Sequence, residues 1–224
     1  MPAFAPIWDL AAARHGGDAA LEALLDRPAT PEALRAVSDA EWLGDMTRRV
    51  FSAGFSQKVV AARWSAFEAA FEGFDPGRCA MLDEDALDRL ASDPGLIRNR
   101  AKIASVRENA AFLRALAETH GKPAGHVFAD WPAEDHVGLL ALLKTEGTRL
   151  GGITGAYLLR GRGVDGFILT PDVVMALNRE GVISGAGVSK SAMRALQAAF
   201  DGWRAETRRP MMQLSRVLAL SVGA

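Results

Sequence analysis

The sequence predicts an all-α fold, and three observations predict it. Apolar residues recur at helical spacing along almost the whole chain, runs alternating with period two are hard to find, and helix-start signals are frequent. Thr30-Pro31 opens a short helix, since proline fits the first helical turn. Ser38 with Glu41 forms a capping box ahead of WLGDMTRRVF. In VVAARWSAFEAAFEGF, Val60, Trp64, Phe67, Phe71 and Phe74 share one face and read as core, and GFDPGR at 73–78 is the turn that stops this helix. A short helix near 83–91 follows, then SDPG, then a long helix near 98–119. HGKPAGH at 120–126 is the best internal break, with Trp131-Pro132 a second. Helices near 134–148, 154–161, 170–180, 188–207 and 210–221 complete the series, with no internal repeat or low-complexity tract.

Composition narrows the function classes. With 224 residues and 49% hydrophobic content, the chain has room for one large domain or two small lobes with a buried core. No apolar run approaches the roughly 18 residues of a membrane span, and MPAFAPIWDL lacks the charged and apolar regions of a secretory signal. The expectation is a cytoplasmic protein with no membrane partner. A single cysteine, Cys79, excludes an internal disulfide and a cysteine-type zinc site, and the four histidines are too scattered for a metal motif. A net charge of -1 gives no global steering toward polyanions, so any nucleic-acid site must be a local patch.

Glycines crowd into LGGITGAYLLRGRG at 150–163. Residues 161–166 spell the dinucleotide fingerprint G-x-G-x-x-G, but the residues before them look helical and no βαβ unit surrounds them. No Gly-Lys-Ser or Gly-Lys-Thr follows to make a phosphate-binding Walker loop. A hairpin between two helices is the third reading. Leu150 to Thr154 would form its turn, bare glycine amides and a fresh helix N-terminus would face a phosphate, and Leu150 and Ile153 would pin the turn to the core. Lys144, Arg149, Arg160 and Arg162 would add positive charge. An ordinary glycine-rich loop between packed helices stays open beside it.

The pattern L-x-G-h-x-x-A between helices, followed some twenty residues later by Asp172 in PDVVMALNR, resembles the helix-hairpin-helix DNA glycosylase superfamily. A second stretch, MTRRVFSAGFSQKVVAARWSAFEAAFEGFDP followed by LASDPGLIRNRAKIASVRENA, is similar to DNA-3-methyladenine glycosylase I and its relatives. The resemblance covers about residues 38–181. It implies a two-lobe fold in a single domain, with a first helical lobe at about 38–120 carrying the base pocket. The hairpin and catalytic Asp would occupy about 134–181, and the termini would complete the second lobe. It also implies a monomeric, monofunctional enzyme of base excision repair, which hydrolyses the N-glycosidic bond of a damaged, alkylated purine in double-stranded DNA. A catalytically inactive DNA-binding or damage-recognition module is the alternative.

The resemblance assigns residues as well as activity. Asp172 falls where the catalytic Asp belongs; Trp42, Arg49, Phe51, Gly54, Phe55 and Gln57 would line the base pocket. Arg149, Gly151, Gly152, Ile153, Thr154, Gly155 and Lys102 would meet the DNA backbone. Arg49 stands at the family's pocket Glu, Gln57 at its pocket Trp, and Ala156 where bifunctional relatives carry a Schiff-base lysine. The family's zinc-binding Cys and His residues have no counterparts, so no zinc and no cofactor are expected, and a monovalent cation at the hairpin is the one ion the resemblance implies. A carboxylate at position 172 suits the chemistry, because cleavage of a base–sugar bond passes through a cationic deoxyribose, and the flipped base needs a pocket with stacking surfaces.

Overall fold

The computed structural model describes residues 2–54, 56–186 and 189–222, and every regular element among them is helical. In chain order the helices are α1 (Ala5–Arg14), α2 (Asp18–Glu22), α3 (Pro31–Arg35), α4 (Asp39–Ser52), α5 (Gln57–Ala62), α6 (Trp64–Ala70), α7 (Pro76–Ala80) and α8 (Glu84–Ser92). They continue as α9 (Arg100–His120), α10 (Ala124–Ala129), α11 (His136–Thr145), α12 (Ile153–Arg162), α13 (Pro171–Arg179), α14 (Lys190–Thr207) and α15 (Met211–Leu220). The residues group into two compact units. A central unit comprises Thr30–Trp131 and Leu140–Leu158; a terminal unit comprises Met1–Ala29, Pro132–Leu139 and Leu159–Ala224.

In the central unit α9 is the hub, packing against α4, α7, α8 and α10. The capping box at Ser38 and Glu41 forms as the sequence predicts, and α4 buries Trp42, Leu43, Met46, Val50 and Phe51. The stripe is core except at Trp64, which is half-buried, and the helix that carries it is broken at Arg63 (φ -110°, ψ 4°). Arg63 Nη1 donates to the carbonyls of Pro94 and Leu96 at 2.8 and 2.9 Å, tying the break to the segment before α9. The rings still meet: Trp64 stacks on Phe74 at 5.2 Å, and Phe67 meets Phe51 edge-on at 4.7 Å.

HGKPAGH is not a boundary. It contains the start of α10, because the Asp39 carboxylate accepts the backbone N–H groups of Ala124 and Gly125 at 3.1 and 2.8 Å and so caps the helix from α4. The second break, at Trp131-Pro132, does coincide with a unit boundary. The hairpin turn, expected in a later lobe, groups instead with the central unit.

The terminal unit gathers the chain ends, which lie outside the resemblance. Here α1 packs on α15, and α15 also meets α13 and α14. The Phe4 ring lies 5.6 Å from Trp203, whose Nε1 donates to the Pro2 carbonyl at 2.9 Å. Pro210 offers α15 no side-chain cap, so the Asp165 carboxylate accepts from Met211 and Met212 N–H at 3.0 and 2.8 Å. Asp165 belongs to the dinucleotide-like fingerprint, which is therefore occupied in capping a helix, and no strand among the described residues feeds it.

His136 is buried in this unit, edge-on to Phe167 with centroids 4.9 Å apart. Its Nε2 lies 3.2 Å from the Phe167 carbonyl, and no described group meets Nδ1. Burial outweighs that hydrogen bond and pushes the imidazole down to about 4. Below about 6.5 the unfolded chain takes up a proton that the folded one refuses, so stability falls as pH drops from about 6.5 to about 4, by up to about 3 kcal/mol. Urea unfolding at stepped pH should show this slope in the native protein and a flatter one in His136→Gln.

Candidate nucleic-acid interface

The central unit presents the hairpin. After α11 the chain turns through 146–152 and re-enters a helix at Ile153. Gly152 sits at φ +60°, the left-handed region where a side chain is strained, and a Cβ on Gly155 would lie 2.3 Å from the Leu150 carbonyl. A side chain would thus be strained at 152 and would collide with backbone at 155. Leu150 is buried and anchors the turn, whereas Ile153 is 45% exposed. The expectation that both residues pin the turn fails for Ile153, because it opens α12 and faces away from the packed side. One helical turn later Tyr157 is 38% exposed, so the start of α12 carries an apolar and an aromatic group outward.

Asn109 on α9 fixes the turn. Its amide is buried and makes two bonds to one residue: Nδ2 donates to the Thr148 carbonyl at 3.1 Å, and Oδ1 accepts from Thr148 N–H at 2.8 Å. Directly after this clamp, Arg149 takes a left-handed φ of 62° and is exposed. A non-glycine residue holds that conformation only where its neighbours impose it. Gly151 and Thr154 are partly exposed, Gly152 fully so, and Gly155 is buried. The first-turn amides of α12 lack intrahelical acceptors, which makes this end of the helix suited to an anion.

The second set of candidates lies at the end of α4. Arg49 is half-buried with its guanidinium carbon 5.8 Å from the Tyr157 ring centroid, linking α4 to the hairpin helix. Gly54 (φ +102°) and Gln57 are exposed, and Phe55 lies outside the described residues. Trp42 and Phe51 are wholly buried: Trp42 meets Phe128 edge-on at 4.9 Å and Phe51 packs on Phe67. In this conformation both rings are core.

Lys102 points inward. Its ammonium donates to the carbonyls of Val50 and Phe51 at 2.8 and 3.3 Å and to that of Ala53, capping the carboxyl end of α4. Burial, with the Arg149 charge added, holds its pKa below the ordinary lysine range. Its place in the structure is beneath the 50–53 turn, shaping that turn, whereas the sequence assigned it to the DNA backbone.

Asp172 belongs to the terminal unit. Thr170 caps α13, its hydroxyl accepting Val173 N–H at 3.3 Å; Pro171 follows at the first helical position and Asp172 at the second, exposed. Elsewhere, Cys79 is buried and its thiol is pushed up to about 12, so it is no nucleophile at neutral pH. Among the described residues no group of three or more His, Cys, Asp or Glu is placed to hold a metal ion, and no helix is long and apolar enough to cross a membrane.

Comparison with known proteins bears on the first of these units. Residues 36–134 match the methyladenine glycosylase family. Among curated proteins, DNA-3-methyladenine glycosylase 1 of Escherichia coli (strain K12) is 38% identical over 72 residues, which is 32% of this chain and 37% of the relative. The matched stretch thus spans just over a third of that relative's length. Solved structures similar to this chain include a mutant 3-methyladenine DNA glycosylase I from Staphylococcus aureus (18% identity, 57% of this chain and 78% of that one, TM-score 0.49). A further 3-methyladenine DNA glycosylase I structure is 24% identical over 62% of this chain and 83% of that one, also at TM-score 0.49.

The methyladenine glycosylase stretch holds α4 and α9 in full, with Arg49, Gly54, Gln57 and Lys102. The hairpin and Asp172 follow it. Two residues at the site were missed in the sequence. Asn109 had a signal, being a polar residue between Val106 and Leu113 in an otherwise apolar helical register; Tyr157 had one too, as the single tyrosine, four residues after Ile153. Replacing Lys102 by Met keeps the stem and removes three carbonyl bonds, and should lower unfolding free energy by about 2–4 kcal/mol in urea titration. Asn109→Leu leaves both Thr148 backbone groups unsatisfied and should cost about 2–3 kcal/mol by the same measurement.

Proposed function

We propose that this protein is a monofunctional DNA glycosylase of base excision repair, which removes a damaged purine from double-stranded DNA. The observation that carries the proposal is the match of residues 36–134 to the methyladenine glycosylase family, in the same unit that holds the hairpin. The hairpin supplies what a DNA backbone needs: bare glycine at 151 and 152, the N-terminus of α12, and the outward cation of Arg149. Phosphate contacts position the duplex, and the target nucleotide leaves the stack to reach the protein. Arg49, Gly54 and Gln57 are the accessible members of the pocket set.

Asp172 is the proposed catalytic carboxylate. As the bond from the base to C1′ breaks, its electron pair leaves with the base and positive charge develops on the sugar; a carboxylate beside that charge lowers the barrier. Water, oriented by Asp172, then adds its oxygen to C1′ and gives its proton to the Asp172 carboxylate, which releases it to solvent. No lysine stands at Ala156, so no Schiff base and no strand cleavage follow, which is the monofunctional outcome. A monovalent cation at the hairpin, held by backbone carbonyls, is part of the same proposal. Action as a monomer in the cytoplasm completes it.

Incubation with duplexes carrying single damaged purines, followed by detection of free base, tests the activity. Asp172→Asn should lower release by at least about a hundredfold with duplex binding retained. Gly152→Val, strained at its positive φ, should weaken duplex binding at low salt by about tenfold or more. Binding with no release from any lesion leaves the non-catalytic recognition module in its place.

A further inference from the structure

The terminal unit carries a cavity of about 870 Å³, lined entirely by its own residues. All of them but Glu134 lie outside the stretch that matches the methyladenine glycosylase family. The cavity opens where α14 ends and α15 begins, against the chain that follows α2. Small-molecule sites of about 300–1,000 Å³ are lined mainly by apolar groups. Here eight of the twelve lining residues are charged, four arginines and four acids, so the occupant that suits the cavity is itself charged.

The two signs differ in what they already hold. Glu22 takes both terminal nitrogens of Arg209, at 3.2 and 2.7 Å. Glu134 and Asp201 share one nitrogen of Arg204, Nη1, at 3.0 and 3.6 Å. Asp165 caps α15 through the N–H groups of Met211 and Met212. All four acids are therefore engaged, and so is Arg209, which also donates to Gln213 and lies 4.2 Å over Trp8. Arg27 and Arg208 are different: both are exposed, and neither has a carboxylate within ion-pair distance among the described residues. Arg27 acts on Glu22 at longer range, behind the hydrogen bonds from Arg209 that hold that carboxyl below its ordinary range. Of the acids nearby in the chain, Glu206 accepts the Phe4 N–H at 2.9 Å, and Asp26 is not part of the lining.

Arg208 is also held against its backbone preference. It ends α14 at φ 57°, the left-handed region where glycine is the usual helix-ending residue. An arginine there costs strain and places at the cavity a guanidinium that glycine would not supply. A guanidinium has five N–H donors, no acceptor and a permanent charge, and its planar fork matches the oxygens of a phosphate. Two such forks suit the several oxygens and the charge of a phosphate better than those of a single carboxylate. We infer that this cavity is an anion site in which Arg27 and Arg208 hold a phosphate group. The inference is independent of the glycosylase proposal. Two sources carry that group, a free phosphate-bearing small molecule and the backbone of a duplex.

Titration calorimetry of the full chain with inorganic phosphate at constant ionic strength should show saturable binding. Arg27→Gln combined with Arg208→Gly should weaken it by about tenfold or more. Glycine relieves the left-handed strain at 208, so the melting temperature should hold or rise in the same protein. Arg27→Gln combined with Arg208→Asn, a residue that also tolerates this region, should give the same loss of phosphate. Binding of an undamaged duplex then identifies the source. Lower affinity in the variants, with a salt slope reduced by about one to two, assigns the phosphate to the DNA backbone. Duplex affinity that does not change assigns it to a small molecule. Absence of saturable phosphate binding by the native protein overturns the inference, and equal binding by native protein and both variants does the same by locating the anion elsewhere.

Discussion

Burial of the Lys102 ammonium under the end of α4 is the constraint on which the central unit depends. The last carbonyls of a helix have no partner within it and carry partial negative charge. Here Val50, Phe51 and Ala53 point theirs at one cation that comes from α9. Burial makes it costly to leave that cation without acceptors, and the three carbonyls supply them. The end of α4 therefore leans on a cation supplied by α9. Seven residues along the same helix, Asn109 does the equivalent for Thr148 with a neutral amide. Two helical turns separate these groups, which puts them on one face of α9. A single helix thus sets both the turn that borders Arg49 and the turn that opens the hairpin.

This arrangement explains why the hairpin groups with the central unit although it follows α10 and α11 in the chain. Sequence order suggested a later lobe. What decides its place is the pair of Asn109 bonds together with Leu150, and neither is visible as local periodicity. Once Thr148 is fixed, the chain has four residues, 149–152, in which to reverse before α12, and it spends two left-handed conformations there, at Arg149 and Gly152. Glycine at 152 was legible as a turn residue. Arginine at 149 was not, since its conformation is imposed by its neighbours and opposes its own preference.

Helix existence was legible wherever a start signal and an apolar face agreed. Ser38 with Glu41 and Thr30-Pro31 each cap the helix that the sequence assigns to them. Two features were hidden. The break at Arg63 leaves the aromatic stripe on one side, so the period that marks the helix also conceals its interruption. The cap of α10 comes from Asp39, more than eighty residues away, and a local pattern around HGKPAGH shows only proline and glycine. At the site, residue type was a good guide to glycines and a poor one to cations: Lys102 looks the same in sequence whether it faces a phosphate or a row of carbonyls. Trp42 and Phe51, read as walls, follow the more general rule that large rings on an amphipathic helix face the core.

Charge shows why a chain with net charge -1 is compatible with a polyanion. Net charge sets long-range steering, but contact within about 10 Å depends on which charges are already neutralised. In the central unit Arg35, Arg78, Arg100, Arg107 and Lys122 are paired with carboxylates. Arg49 and Arg149 make no such pair among the described residues, and both lie beside glycine-bearing turns. Acids are therefore not lacking; Glu72, Glu84, Asp88 and Asp130 each hold another cation. The result is a local field built by segregation: Arg149 is exposed on the hairpin, and Arg49 is half-buried with its guanidinium carbon 5.8 Å from the Tyr157 ring centroid.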